Sequence, residues 1–316
     1  MSGAGGLFLV RMDPGDGPLA GKKLFFRARG GLRADSGILP GDFVTVEWSA
    51  SSLTPDGLPA DDRSGLPGAA LCAVGKRKNE LIRPPMANLD LLFVIIAAVR
   101  PAPSFLTVDK LLAVCEDRGI DPVIVVTKCD LSPVEAERIR NIYLLAGYPS
   151  FCVSSLTGEG TDKLRGFIGR TLPGRLTAFA GVSGAGKSSL LNRIFPGYGH
   201  EEGEVSRKTG RGRHTTRKVE IFERPTDGGE CLIADTPGFS AIDFENFDFL
   251  TLESLPAAMR EFRACYPDCR WADCTHTGEA DCGVVRAVSE GRVAASRRES
   301  YLEMYRALKK KERHQN

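Results

Sequence analysis

Gly181-Val182-Ser183-Gly184-Ala185-Gly186-Lys187-Ser188 fits the pattern G-x-x-x-x-G-K-[ST] in the setting that gives the pattern meaning. An apolar run, 176–180, precedes it, and a helical pattern beginning at Ser189 and running to 194 follows it. Glycines there let backbone N–H groups turn inward around a phosphate, and the helix N-terminus adds a favourable dipole. Lys187 is placed to neutralise the β- and γ-phosphates and to act in catalysis, and the Ser188 hydroxyl to ligate Mg²⁺. A chance Gly/Ser loop would lack both flanking elements.

A phosphate loop does not choose the base. Three further strings do so together. Asp235-Thr236-Pro237-Gly238 follows an apolar run, 231–235, so Asp235 can hold the Mg²⁺ shell and the Gly238 amide can meet the γ-phosphate. Thr127-Lys128-Cys129-Asp130 ends the run 122–127, and Ser154-Ser155-Leu156 ends the run 150–154. A carboxylate at Asp130 accepts both N1–H and N2–H of guanine, a pair that adenine does not offer. The Lys128 stem can cover the ring face, and the Ser155 region can offer an amide to the guanine carbonyl. Each string alone is weak. Three at the C-terminal ends of strands make one site, because open α/β sheets bind ligands there. Their order is unusual, since the base strings precede the phosphate loop. A circular permutation keeps such a sheet intact, because the termini of a compact domain lie close together.

Working outward, three regions separate. Residues 1–85 hold short alternating runs (22–27, 42–48, 71–74) divided by turn clusters, which predicts a small antiparallel barrel. The Gly/Pro/Ser/Asp stretch 49–68 reads as a loop between its strands. Residues 86–247 alternate strand runs (91–99, 122–127, 150–154, 176–181, 231–235) with helical patterns at 107–118, 133–146 and 187–194. That alternation predicts a mostly parallel, doubly wound sheet. Residues 248–316 carry a cysteine/histidine cluster and then a charged helical tail, 292–314.

In that last region Cys269, Cys274, His276 and Cys282 offer three thiolates and an imidazole within a short turn-rich segment. Four such ligands fill a closed, structural Zn²⁺ site with no open position for substrate. Cys265 competes for a place in the set or is a core thiol. Cys72, Cys115, Cys129, Cys152 and Cys231 lie in or beside apolar runs and read as small hydrophobes. An odd total of nine cysteines, with no charged start and apolar core at the N-terminus, argues against a secreted disulfide scaffold and for the reducing cytoplasm. The longest apolar run, 89–99, is broken by Asp90 and spans about half of the ~20 residues a membrane helix needs. Net charge is only +2 over 316 residues, so attraction to nucleic acid falls to local clusters. These are Lys22, Lys23, Arg27, Arg29 and Arg33 in the barrel region, residues 207–217, and Arg297 and Arg298 with residues 309–313 in the tail.

With these residues in view the chain resembles the ribosome small-subunit-dependent GTPase A family, circularly permuted ribosome-biogenesis GTPases. The resemblance rests on the barrel region, Arg83-Pro84, Ala87-Asn88-Leu89-Asp90, the permuted motifs, Gly212-Arg213-His214-Thr215-Thr216 and the cysteine cluster. It implies an oligonucleotide/oligosaccharide-binding barrel, a GTPase domain and a zinc domain holding one structural Zn²⁺, with Cys269, Cys274, His276 and Cys282 as ligands. It further implies a cytoplasmic, non-membrane monomer that binds GTP/GDP with Mg²⁺. Such an enzyme hydrolyses GTP to GDP and phosphate during late small-subunit maturation, with the small ribosomal subunit and its rRNA as partners. Two positions depart from the family pattern. Thr127 stands where Asn is common, and Arg217 where a third Thr is frequent, which leaves Thr215 and Thr216 both open as the Mg²⁺ ligand. Phe239 occupies the place after D-x-x-G where many GTPases carry a water-orienting glutamine, so His214 is the candidate for that role. A nucleotide-gated rRNA-binding scaffold with incidental hydrolysis is the alternative, to be separated by turnover with and without small subunits. A phosphate-loop kinase or ATPase conflicts with Asp130.

Overall fold

The computed structural model describes residues 3–4, 7–16, 19–29, 32, 37–48, 69–82, 84–198, 219–235 and 250–315. The first sheet holds β1 (Gly3–Ala4), β2 (Leu7–Arg11), β3 (Lys23–Ala28), β4 (Val44–Trp48) and β5 (Ala69–Val74) in the order β1-β2-β3-β5-β4. Period-two alternation sets its inner face: Val10, Leu24, Phe26, Ala28 and Leu71 are buried in one cluster, with Trp48 edge-on to Phe26. The sequence predicts antiparallel pairing throughout. The observed sheet differs at β3 and β5, which run parallel, because β5 returns between β3 and β4 instead of adding at the edge. The stretch 49–68 and Arg33 lie outside the described residues.

A short hairpin, β6 (Glu80–Ile82) with β7 (Pro85–Ala87), follows. Its Leu81 and Met86 pack into the core of the second sheet. That sheet contains β8 (Leu91–Ala97), β9 (Asp121–Thr127), β10 (Ser150–Val153), β11 (Leu176–Gly181), β12 (Glu220–Thr226) and β13 (Gly229–Asp235). The order is β10-β9-β8-β11-β13-β12, parallel except for the antiparallel edge pair β12/β13. All seven residues of β8 are buried, as expected of a central strand covered on both faces. Leu92, Val94 and Ile96 face one core with α1 (Phe105–Arg118) and α2 (Pro133–Leu145). Leu91, Phe93 and Ile95 face the other with α3 (Thr161–Thr171) and α4 (Lys187–Ile194). Helix α1 starts where Ser104 accepts a hydrogen bond from the Thr107 N–H, and it stops at Gly119 in the left-handed region. Its buried Val108, Leu111 and Leu112 each contribute roughly 1.5–3 kcal/mol by burial.

The C-terminal region is built from a 3₁₀ segment (Arg260–Asp268), α5 (Gly283–Ser289) and α6 (Ala295–Gln315). Its core includes Leu255, Met259, Phe262, Val284, Tyr301 and Met304. Helix α6 lies on α1. Arg297, grouped in the sequence with the basic surface of the tail, is corrected here to a core residue with no exposed side-chain area. Its guanidinium donates to Asp109 Oδ1 of α1 at 2.6 Å and to Glu261 Oε1 at 2.7 Å. Two carboxylates outcompete solvent for this cation, whereas its neighbour Arg298 lacks that pairing. Among the described residues no helix is long and apolar enough to cross a membrane.

Candidate functional site

Parallel pairing of β10, β9, β8, β11 and β13 carries their C-terminal ends to one edge, so loops far apart in sequence meet there. The phosphate loop turns out of β11. A Cβ at Gly181 would lie 2.7 Å from the Ile95 carbonyl oxygen, so only glycine fits against β8. Gly184 and Gly186 have φ of 79° and 92°, which L side chains rarely adopt. Ala185 is buried, and its N–H donates to the Val182 carbonyl at 3.0 Å, closing the turn. Ser183 is exposed beside it. Lys187 opens α4, with Ser188 and Ser189 exposed in its first turn. No side chain caps this helix start, and first-turn amides, which have no partner within a helix, suit an anion.

The base string is tied to this loop by two side chains. Thr127 is fully buried at the end of β9, and its hydroxyl donates to the Ala185 carbonyl at 2.5 Å. Lys128 has a positive φ of 58°. That conformation sends its ammonium to the carbonyls of Gly184, at 2.9 Å, and Arg100. Lys128 is therefore a brace between three loops, a role the sequence does not show. Cys129 is buried, and burial pushes its thiol up to about 11. Its N–H donates to the Val153 carbonyl at 3.3 Å, which aligns the base string with β10. Asp130 is half-buried and has no hydrogen-bond partner among the described residues, leaving its carboxylate available to a ligand.

The turn after β10 completes this side. Ser154 is fully buried; its Oγ accepts from the Thr157 N–H at 3.1 Å, and its N–H donates to the Glu159 carbonyl at 2.9 Å. Ser155 is half-buried at the start of the turn. Gly160 closes it: with φ of 70°, a Cβ there would sit 2.0 Å from the Cys152 carbonyl oxygen. The string Thr157-Gly158-Glu159-Gly160 was the available sequence signal for this tight turn. On the far side Asp235 ends β13, its backbone opposite Glu220. The Asp235 side chain, Gly238, Phe239, His214, Thr215 and Thr216 lie outside what the structure describes, as do Arg83 and residues 207–217.

The second cluster stands apart from this edge. Cys269, Cys274, His276 and Cys282 bring one ligand atom each within 4.8 Å of one another. His276 Nδ1 lies 3.6 Å from the sulfurs of both Cys269 and Cys282. Cys269 Sγ also accepts the Gly283 N–H at the start of α5, at 3.2 Å, a contact suited to thiolate. Burial lowers the pKa of His276, favouring the neutral imidazole that a metal needs, and pushes the Cys274 thiol up to about 12. Burial would also raise Glu279, but donors from Thr275 and Gly278 hold its carboxyl at about 2. Glu279 thereby fixes the loop between Cys274 and Cys282, with the Thr275 N–H at 2.8 Å. His276 stacks on Tyr266 with centroids 5.1 Å apart. The donor set and its convergence fit a tetrahedral metal ion. Cys265 stays outside the cluster, buried in the core. Cys115 and Cys231 are buried, and Cys72 and Cys152 half-buried.

Residues 74–245 match the RsgA GTPase family. The protein "Small ribosomal subunit biogenesis GTPase RsgA" of Caldanaerobacter subterraneus subsp. tengcongensis is 37% identical over 289 residues, covering 91% of this chain and 89% of the relative. The Enterococcus faecalis protein of the same name is 43% identical over 231 residues, 72% of this chain and 73% of that one. Among solved structures, that of YloQ, a circularly permuted GTPase, superposes with a TM-score of 0.70 at 29% identity, covering 97% of this chain and 92% of YloQ. YjeQ from Thermotoga maritima gives a TM-score of 0.70 at 30% identity, covering 91% of each chain. Similarity of this extent spans the phosphate loop, the base string and the turn after β10, and the chain belongs to the RsgA GTPase family.

Proposed function

We propose that this chain binds GTP at the C-terminal edge of the second sheet, hydrolyses it to GDP and phosphate, and couples that cycle to binding the small ribosomal subunit during its late maturation. The observation that carries the reading is the joining of the phosphate loop to the base string through Thr127 and Lys128, in a chain whose relatives bear the name small ribosomal subunit biogenesis GTPase. Lys187 and the loop amides take the β- and γ-phosphates, and Asp130 takes the guanine edge. Ser188, Asp235 and either Thr215 or Thr216 would hold Mg²⁺, which supplies charge neutralisation on the transferred phosphoryl group. His214 positions the attacking water in the absence of a glutamine at Phe239. Cys269, Cys274, His276 and Cys282 hold one Zn²⁺, which keeps the C-terminal fold. His276 and Asp281, both non-glycine residues with φ of 59°, cost about 1–3 kcal/mol each, less than the ~10–16 kcal/mol that a four-ligand zinc site contributes. We further propose a cytoplasmic monomer that contacts ribosomal RNA.

The test is GTP turnover by the purified chain, titrated with small and with large ribosomal subunits. Completing an active site in trans raises hydrolysis by roughly 10³–10⁵, so strong stimulation by small subunits and little by large ones is expected. His214→Ala should bind GTP yet lose the stimulation. Absence of any effect of small subunits on the parent chain sinks the ribosome-coupled reading.

A further inference from the structure

The outward face of the first sheet meets the edge strand of the second at one carboxylate. Arg11 on β2 and Lys23 on β3 are direct partners in the antiparallel register. Like charges so placed repel, and Glu223 of β12 relieves them. One of its oxygens takes Arg11 Nη1 at 3.2 Å and the other takes Lys23 Nζ at 2.9 Å. Two anionic oxygens on a single atom, one for each cation, is also what a phosphodiester offers. The three side chains keep 35%, 49% and 24% of their exposure, so water and solutes reach the pair and exchange is cheap.

The rest of the face suits the same ligand. Lys23, Phe25 and Arg27 alternate outward along β3, with Leu9 opposite Phe25. Cation, half-exposed aromatic, cation is the spacing that tracks a nucleic-acid backbone and stacks a base. Glu223 comes from the other sheet, whereas the sheet's own outward acid, Glu47 on β4, is held by Arg29 at 2.7 Å. Glu223 sits three residues after Glu220, which pairs with Asp235 at the nucleotide edge.

We propose that Arg11 and Lys23 form a binding point for one phosphate of an RNA backbone, and that Glu223 fills this point as an internal stand-in until RNA displaces it. RNA on the barrel then parts Glu223 of β12 from both cations. This rests on the reading that the chain contacts ribosomal RNA.

The experiment measures binding of the full chain to poly(U) RNA, and separately to small ribosomal subunits with a non-hydrolysable GTP analogue, across a series of salt concentrations. Arg11→Gln with Lys23→Gln should lower the log–log salt slope on poly(U) by about 0.7, the share of one phosphate contact on a single strand. Glu223→Gln should tighten binding by about two- to fivefold, the range an exposed ion pair carries. Added to the Arg11/Lys23 variant, it should change nothing. Unchanged GTP binding by each variant shows that the fold is kept. An unaltered slope in the Arg11/Lys23 variant, or equal or weaker binding by Glu223→Gln, overturns the proposal, as does failure of the parent chain to bind poly(U). If poly(U) behaves as expected while small subunits do not bind, the phosphate point stands and the ribosomal reading falls.

Discussion

Replacing Arg297 by Met asks what holds the C-terminal region onto the GTPase core. Arg297 and Asp109 have no exposed side-chain area, and Glu261 retains 5%. The guanidinium donates at 2.6 Å to Asp109 and at 2.7 and 3.1 Å to Glu261. Met fills much of the volume but strands both carboxylates. Removing one partner of a buried pair costs about 3–5 kcal/mol, or a factor of roughly 150 to 4,000 in the opening equilibrium. The cost depends on pH, with a definite sign. Burial raises the Asp109 carboxyl pKa, and Arg297 pulls it back down. A carboxyl raised in the folded state loses stability as pH rises from its unfolded value through its folded one. Without Arg297 the folded value climbs further, so the variant is penalised less at pH 5.5 than at pH 8. Native-state hydrogen exchange of the α6 amides reads this opening directly. Adding Asp109→Asn and Glu261→Gln should recover most of the loss. A change below about 1 kcal/mol, or an equal loss at both pH values, would refute the view that this cation is the bolt between α1 and α6.

Three other outcomes follow from the site. Asp130→Asn swaps an acceptor pair for a mixed donor and acceptor, so GTP should weaken by about 2–4 kcal/mol while xanthosine triphosphate gains; calorimetric titration with both nucleotides decides it, and unchanged GTP binding removes Asp130 from the base site. Cys274→Ala should abolish the roughly one zinc per chain expected from metal analysis and loosen the region from residue 250 onward, with nucleotide binding kept. Gly160→Ala drives a Cβ to 2.0 Å from the Cys152 carbonyl; it should displace the Ser154–Ser155 turn and weaken GTP and GDP alike, measured as a parallel rise in both dissociation constants.

What the sequence made legible was whatever depends on short-range pattern. Continuous apolar runs ending in Gly or Asp located β11 and β13, and the Gly/Lys boundary located α4. Helix α3 carries a weak helical signal because Gly166 and Gly169 interrupt it; a Cβ at Gly169 would lie 3.4 Å from the Asp227 Cβ. Strand β12 reads Glu220-Ile221-Phe222-Glu223-Arg224-Pro225-Thr226, with a proline that only an edge strand tolerates. The parallel pairing of β3 and β5 is a matter of strand order, which alternation cannot encode. Arg297 looked like its neighbour Arg298 because the carboxylates that claim it lie 188 and 36 residues away. The same distance hid the brace at Lys128, whose acceptors are backbone carbonyls and carry no residue signature.

That brace gives the permuted arrangement a consequence for coupling. A nucleotide that shifts the phosphate loop moves the Gly184 carbonyl, and Lys128 ties that carbonyl to Arg100. Arg100 lies four residues before Ser104, the cap of α1. Helix α1 then presents Asp109 to Arg297 and Glu116 to Arg260 and Arg263, the last two at 2.7 and 2.8 Å. A chain of contacts is not itself coupling; it must bias two states differently. The Arg297→Met variant supplies the measure, because it cuts the path at the end remote from the nucleotide. If α1 transmits the nucleotide state to the C-terminal region, linkage requires the reverse as well, and the ratio of GTP to GDP affinity should change by at least about fivefold in the variant. An α6 loosened by hydrogen exchange with that ratio unchanged would mean that α1 is only a mounting surface, and that any signal leaves the nucleotide edge through the chain that follows Asp235.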